Sequence, residues 1–497
     1  MSIDERPSAP TEHLQDEAPS TRVVQWVIGL MLAATFVMVL NETIMSVAIP
    51  RLMVDLGISA STAQWLTTAF MLTMAVVIPT TGFLLRRFST RSVFIAAMSL
   101  FTGGTLLASL APGFGVLLAG RVLQASGTAV MAPLLLTTVL TFVPAHRRGS
   151  VMGLITIVMS VAPAIGPTLS GAILEHLAWR WMFLFMLPIA ALALVVGIAL
   201  VRNVTTPAKA PFDLPSVVLS AVAFAGLIYG LNAIGEAASH ETSVPPWLPI
   251  GAGAMALFLF VRRQLALQET ESALLDLRPF RTPAFTIGIS ILLVAMCAMF
   301  GTIVLLPLFL QNVWGLSTLE TGLVMLPGGL VMGSAAPLIG ALSDRVGPRP
   351  LAAPGAVAAT VALLLLTTLD TTPAGGEWLL YTDREWKVVG IYTLLTVGLS
   401  CMITPLMTSA LGSVPVHLYS HASAIQNTLQ QVAGAAGTAL FVTVMTRTMT
   451  AEISSGQDQA LALSTGIQGA FWWGTGFAVL ATALSLFVRR REESDQG

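Results

Sequence analysis

Charged side chains are scarce in this sequence. Asp, Glu, Lys and Arg make up 10% of its 497 residues, against about a quarter in ordinary soluble domains. Water is therefore not the solvent for most of the chain. Cysteine is nearly absent too. Cys297 and Cys401 both fall inside apolar segments, where they read as small packing residues and not as a disulfide or metal pair. Basic residues are not in surplus, since the formal net charge is -1, and there is no Lys/Arg run, which argues against nucleic acid as a partner. No loop of the GxxxxGK type offers a nucleotide cradle. His417 and His421 stand four apart without a third ligand nearby, which argues against metal, and no cofactor is called for. The other histidines are scattered, whereas a membrane-embedded enzyme would cluster His and Asp near one membrane face.

What fills the chain instead is hydrocarbon. Hydrophobic residues account for 55% of it, in repeated segments of about twenty, the length a helix needs to cross roughly 30 Å of bilayer core. The pattern predicts an all-α integral membrane protein with 14 transmembrane helices, the first over 24–48 and the last over 469–488. Residues 1–22 carry Asp4, Glu5, Glu12, Asp16 and Glu17 among Pro and Ser. That is the composition of a disordered tail and not of a signal peptide. With the N-terminus placed in the cytoplasm, 18 of the 24 Lys and Arg fall on the inside, among them Arg86, Arg87, Arg91, Arg147, Arg148, Arg262, Arg263 and Arg489. This positive-inside bias predicts a multi-pass protein of the cytoplasmic (inner) membrane with both termini cytoplasmic.

A shift of 258 positions brings Gly57, Ser59, Pro79, Gly82, Leu84, Arg87 and Arg91 onto Gly315, Ser317, Pro337, Gly340, Leu342, Arg345 and Arg349. An even number of spans separates the copies, so they share one orientation. The halves are then parallel repeats with two spans inserted between them, an arrangement found in transporters whose substrate site lies between rocking halves. The expected organisation is a tail at 1–22, a six-helix half at 23–203, a linker with helices 7 and 8 at 204–280, a second six-helix half at 281–490, and a cytoplasmic tail at 491–497.

Ionisable groups inside spans are functional candidates, because hydrocarbon makes them expensive. Glu42 lies about eight residues before the outer end of span 1 and Arg121 about eight after the outer start of span 4, so both sit roughly 12 Å deep. They are placed to pair, directly or through water. Two readings stay open: Glu42 as a proton carrier for which proton and cationic substrate compete, or a fixed ion pair locking spans 1 and 4. In span 5, Pro163, Gly166, Pro167 and Gly171 remove backbone bonds and admit a close neighbour, which reads as a hinge and contact face. After span 10, Gly340, Asp344, Arg345 and Gly347 form a loop in which Asp344 stands just before the next span, positioned to cap helix amides. On span 13, Asn427, Gln430 and Gln431 are polar enough to line a cavity, and packing hydrogen bonds explain them equally well. Glu320 and Asp370 stand at span ends, where solvation accounts for them. The ten tryptophans mostly lie near span ends, as an interfacial belt requires; Trp26, Trp472 and Trp473 are the exceptions.

These motifs, in this order across residues 23–490, resemble those of the major facilitator superfamily. The Gly340–Arg349 loop resembles its signature loop, and the Pro163–Gly171 run resembles the antiporter motif of its drug exporters. The stretch from Arg121 through Gln124 to Ala129 is similar to the span 4 motif in which the arginine serves proton transfer. The stretch Leu40–Pro50, with Asn41 and Glu42, resembles the span 1 motif of the fourteen-span drug:proton antiporters, and Trp179, Arg180, Trp181, Phe183 and Pro188 fit the start of their span 6. The chain departs from the family in two places. Asn41 stands where an acid is usual, so the proton role moves to Glu42, about 100° around the helix. Arg86 and Ser89 stand where the first-half loop has Asp and Gly, so that loop is a degenerate copy.

The resemblance implies a major facilitator fold of two pseudo-symmetric six-helix halves plus two extra helices, functional as a monomer in the lipid bilayer. It implies a proton-coupled antiporter that exports lipophilic or cationic compounds by alternating access. Glu42 and Arg121 would couple protons, and Asn41, Gln124, Asn427, Gln430 and Gln431 would be candidates for lining the cavity. With 22 Met and 22 Phe available, an apolar, adaptable cavity suits drugs and antibiotics. Export of an endogenous lipid or metabolite is the alternative, and proton-coupled nutrient uptake is a weaker one that the antiporter motif opposes.

Overall fold

The computed structural model of the protein describes residues 21–486, apart from Ser59, Arg202, 204–212, 238–244, Glu271, Ser317 and 370–382. The two expected tails, save for Thr21 and Arg22, lie outside the described residues, as do Asp370 and Arg489. All regular structure among the described residues is helical. A first group comprises α1 (Thr21–Leu56), α2 (Ala60–Val77), α3 (Thr81–Arg87), α4 (Thr90–Ser109), α5 (Phe114–Phe142), α6 (Arg148–His176) and α7 (Arg180–Leu200). Then come α8 (Leu214–Ala237) and α9 (Trp247–Gln268), followed by α10 (Pro283–Asn312), α11 (Thr318–Val346), α12 (Arg349–Leu366), α13 (Asp383–Gly412), α14 (Tyr419–Ser454) and α15 (Gln459–Ser485).

Among the described residues, 12 helices are long and apolar enough to cross a membrane, against the fourteen spans expected. The two expected spans outside that count are α6 and α15. Small and polar residues dilute α15, Ser464, Thr465, Gly466 and Gln468 among them; in α6 part of the helix, including Pro163, Pro167 and Gly171, lies outside the described side chains.

The repeat is visible in the packing. In the first group α1 lies on α6, α4 on α5 and on α7; in the second, α10 lies on α14, and α12 on α13 and on α15. Each partnership has its counterpart in chain order, as parallel repeats require. Gly57 and Gly315 occupy matching places after α1 and α10, and both hold positive φ, 62° and 75°, a region that favours glycine.

The two bundles meet along two seams. On one, α6 runs against α11 in the most extensive pairing between bundles. Here backbones approach so closely that a Cβ on Gly340 would stand 1.9 Å from the Gly149 carbonyl oxygen. Further along, a Cβ on Gly153 would stand 2.4 Å from the Pro337 Cα. On the other seam, α14 meets the first bundle through α3 and α5, while α8 stands between α2 and α14. Phe224 and Ile228 of α8 cluster with Ala75 of α2 and Ala435 of α14, and Trp65 stacks on Tyr229 with ring centroids 6.4 Å apart.

Pro79 explains why α3 is separate from α2. Without an N–H it cannot continue the ladder, so the chain tightens into a 3-10 turn over Ile78–Thr80. Thr80 and Thr81 hydroxyls donate to the Val77 and Ile78 carbonyls at 2.7 and 2.6 Å, and α3, beyond the break, packs on α14.

Candidate functional site

Arg121 and Gln124 lie one turn apart on α5 and are fully buried, each 0% exposed. Arg121 Nη1 donates to Asn41 Oδ1 of α1 at 2.9 Å and to Gln124 Oε1 at 3.1 Å. Its Nε reaches the Leu66 carbonyl of α2 at 3.5 Å, and its guanidinium lies 4.1 Å from the centroid of the Phe70 ring. Gln124 Nε2 in turn donates to Thr105 Oγ1 of α4 at 2.9 Å. Three helices, α1, α2 and α5, thus converge on one guanidinium, and α4 joins through Gln124. A buried cation costs several kcal/mol to desolvate, and these oxygens and the ring face offset part of that. Arg121 Nη2 has no hydrogen-bond partner among the described residues.

Glu42 is next to Asn41 on α1 and partly exposed. Among the described residues no ion pair joins it to Arg121, although the two charges act on each other. The direct pair expected from their common depth is replaced by Asn41. Successive residues on a helix point about 100° apart, so when Asn41 faces Arg121, Glu42 does not. Asn41 and Gln124, expected on a cavity lining, are instead engaged by Arg121.

In the second bundle, Asn427 is buried and donates from Nδ2 to the Ser423 carbonyl of its own helix at 2.8 Å. Gln430 and Gln431 are half-buried. Sequence reasoning missed Gln426, which is 1% exposed with both amide atoms lacking a partner among the described residues. Its place one turn before Gln430 was the available signal.

The end of the molecule that carries Arg86, Arg148 and Arg345 is closed by contacts between the bundles. Asp344 Oδ1 accepts from the Gly149 N–H at 2.9 Å and Oδ2 from the Ser150 N–H at 3.3 Å. It therefore caps α6 across the seam, a partner beyond the following α12 that its position suggests. The helix α11 continues to Val346, and Gly347, at φ 83°, turns the chain away only afterwards. Gly340, expected in a loop, accordingly sits inside the helix. Arg345, beside Asp344, is exposed.

Arg148 donates to the Val143 and Leu140 carbonyls at the end of α5, at 3.0 and 2.7 Å, and to the Tyr419 hydroxyl of α14 at 3.1 Å. Thr156 meets Thr404 at 3.0 Å and Thr137 meets Ser423 at 3.2 Å. Arg86, at the repeat position of Asp344, reaches His421 of α14, with Nη1 3.1 Å from Nε2. Ser89, at the repeat position of Gly347, caps α4 by accepting from the Ser92 N–H at 3.3 Å.

Helix α6 runs unbroken through Pro163, Gly166, Pro167 and Gly171. A Cβ on Gly166 would stand 2.2 Å from Thr43 Oγ1, so α6 presses on α1 there. The surroundings of Pro163, Pro167 and Gly171 lie outside what is described. Trp179 departs from the belt pattern, being fully buried with Arg180 stacked 4.4 Å from its ring centroid.

The family model for the Major Facilitator Superfamily matches residues 31–438. The chain belongs to the Major Facilitator Superfamily. It is 39% identical over 469 residues to the lincomycin resistance protein LmrB of Listeria monocytogenes, covering 93% of this chain and 96% of that one. It is 36% identical over 475 residues to the LmrB of Bacillus subtilis, covering 94% and 96%. A crystal structure of the human organic anion transporter MFSD10 shares the fold, with a TM-score of 0.62 at 16% identity, covering 94% of this chain and 99% of that one. These relatives are transporters and not enzymes, and this major facilitator protein is a multi-pass membrane transporter of small molecules.

Proposed function

We propose that this transporter is a proton-coupled antiporter that exports lipophilic or cationic drugs and antibiotics across the cytoplasmic membrane by alternating access. The chain has fourteen spans in this reading, with α6 and α15 crossing beside neighbours of similar length. The face richer in Lys and Arg is cytoplasmic, so the structure is closed toward the cytoplasm and the two termini lie on that side. Residues 23–203 and 281–490 act as the two rocking halves, with 204–280 inserted between them.

One observation carries the coupling. Arg121 is held by Asn41, Gln124, Leu66 and Phe70, which leaves the neighbouring Glu42 carboxylate outside a fixed ion pair. A carboxylate in that position can take a proton or face a cationic substrate, but both at once are mutually unfavourable, and that antagonism is the coupling free energy of an exchanger. Proton binding to Glu42 from outside releases substrate and favours return; proton loss inward restores substrate binding. The names of the LmrB relatives support lincomycin-type antibiotics as one substrate class.

The test is efflux of tetraphenylphosphonium and of lincomycin from proteoliposomes under an imposed pH gradient. Gradient-driven efflux should disappear in Glu42→Gln while gradient-independent exchange persists. Unchanged coupled efflux in that variant would remove Glu42 as the proton carrier.

A further inference from the structure

His421 is 0% exposed at the start of α14 and has a donor at each ring nitrogen. Arg86 Nη1 lies 3.1 Å from Nε2, and the Asp276 backbone N–H donates to Nδ1 at 3.2 Å. A guanidinium and a peptide N–H can only donate, whereas a neutral imidazole offers one lone-pair nitrogen and an imidazolium offers none. The neutral ring therefore satisfies one of its two neighbours, and the protonated ring neither.

The charged groups around the ring come from three elements: Arg86 on α3, Asp276 and Arg278 in the segment between α9 and α10, and His417 in the turn before α14. The one acid among them is already engaged. Asp276 accepts from Arg278 Nε at 2.6 Å and from the Arg278 N–H at 2.9 Å. Burial alone would raise its carboxyl, but these bonds hold it below the usual carboxylate range. The ring has little room to turn, since a Cβ on Gly82 would stand 2.8 Å from Nδ1. This contact joins the first bundle, the second bundle and the segment linking them, at the end of the molecule that is closed.

We propose that His421 is a proton-binding site, separate from Glu42, whose occupancy opens this end of the transporter. The closed seam excludes the proton; the opened seam moves Arg86 and the Asp276 amide away and admits water and proton together. By linkage, acidification on this face raises the open population. The inference rests on the alternating-access part of the proposed function and not on proton coupling through Glu42.

The test uses the full chain in lipid nanodiscs, with Cys297→Ser and Cys401→Ser, and spin labels at Arg87→Cys and Val416→Cys, two exposed positions across the seam. The distance distribution is recorded from pH 8 to pH 5. The long-distance population should grow on acidification, by a factor within the roughly 5- to 150-fold range of ordinary couplings. On a Glu42→Gln background, which removes the opening that proton binding at Glu42 would itself favour, His421→Gln should abolish the remaining pH dependence and Arg86→Gln should move its midpoint to higher pH. A titration in His421→Gln on that background that matches Glu42→Gln alone overturns the proposal. So does an unchanged midpoint in Arg86→Gln, which decides the matter if the His421 variant fails to fold. Opening by tetraphenylphosphonium without any response to pH would overturn the His421 site and spare alternating access. No opening under either condition would overturn both.

Discussion

Along α6 and α11 the bundles touch backbone to backbone, and Asp344 grips two amides of the facing helix. Along α3 and α14 they touch through side chains, with Arg86 on His421 and α8 filling the space beside them. The two seams descend from one repeated loop. A carboxylate on helix amides is strong wherever the carboxylate is charged, and it needs no particular partner residue. A guanidinium beside an imidazole holds only while the imidazole is neutral. The repeat therefore supplies one latch that ignores pH near neutrality and one that responds to it.

The largest effect expected from this difference is steric. Overpacking a close contact costs about 1–3 kcal/mol, roughly a five- to hundredfold shift in an equilibrium. Gly340→Ala, whose new Cβ would meet the Gly149 backbone, should slow tetraphenylphosphonium efflux near the upper end of that range. Gly82→Ala, which meets the His421 side chain, should slow it less. Equal losses would mean that the seams are built alike.

Charge comes next. Asp344→Ala removes a cap worth about 0.5–2 kcal/mol and should raise the rate at which a maleimide reaches a cysteine placed at Thr404 by severalfold at every pH. Arg86→Asp, which puts a carboxylate beside His421, should stop acid from raising that rate relative to a freely exposed cysteine, because the protonated ring would then be held by the new carboxylate. A rate that still rises on acidification, relative to a freely exposed cysteine, in Arg86→Asp would contradict the contrast between the latches.

The smallest effect belongs to the base of the α8–α9 hairpin. Arg263 donates to Asp213 from Nε at 2.9 Å and Nη2 at 2.8 Å, with 40% of the Arg263 side chain exposed. These hydrogen bonds chiefly hold the Asp213 carboxyl below its ordinary value. A depressed carboxylate contributes its full stability above the unfolded value of about 3.9 and loses it as pH falls through the lower folded value. Arg263→Ala should therefore lower the thermal midpoint only slightly at neutral pH and progressively less in strong acid. A larger shift of the thermal midpoint would show that α8 depends on this pair more than its solvent exposure implies.

The sequence made the helical class, the repeat and the Arg-rich face legible, because length, hydropathy and charge bias are one-dimensional properties. Glu42 and Arg121 were legible as charges placed within spans. Their relation was not, since it depends on how α1 is rotated, and Asn41 takes the contact. Asp344 was legible as a cap but not as a cap for α6, because sequence adjacency favours α12 and only the seam brings Gly149 within reach. His421 showed nothing but a spacing to His417, and its role comes from residues 335 and 145 positions away in sequence.

The central claim is that this end must open and close for transport, and the hydrogen-bonded pair Thr156 and Thr404, 3.0 Å apart between α6 and α13, gives direct access to it. With Cys297→Ser and Cys401→Ser in place, Thr156→Cys and Thr404→Cys would be oxidised to a disulfide in proteoliposomes and tetraphenylphosphonium efflux measured before and after reduction. The expected result is no transport while the bridge is intact and full recovery once it is reduced. Undiminished transport by the bridged protein would contradict an obligatory opening at this seam.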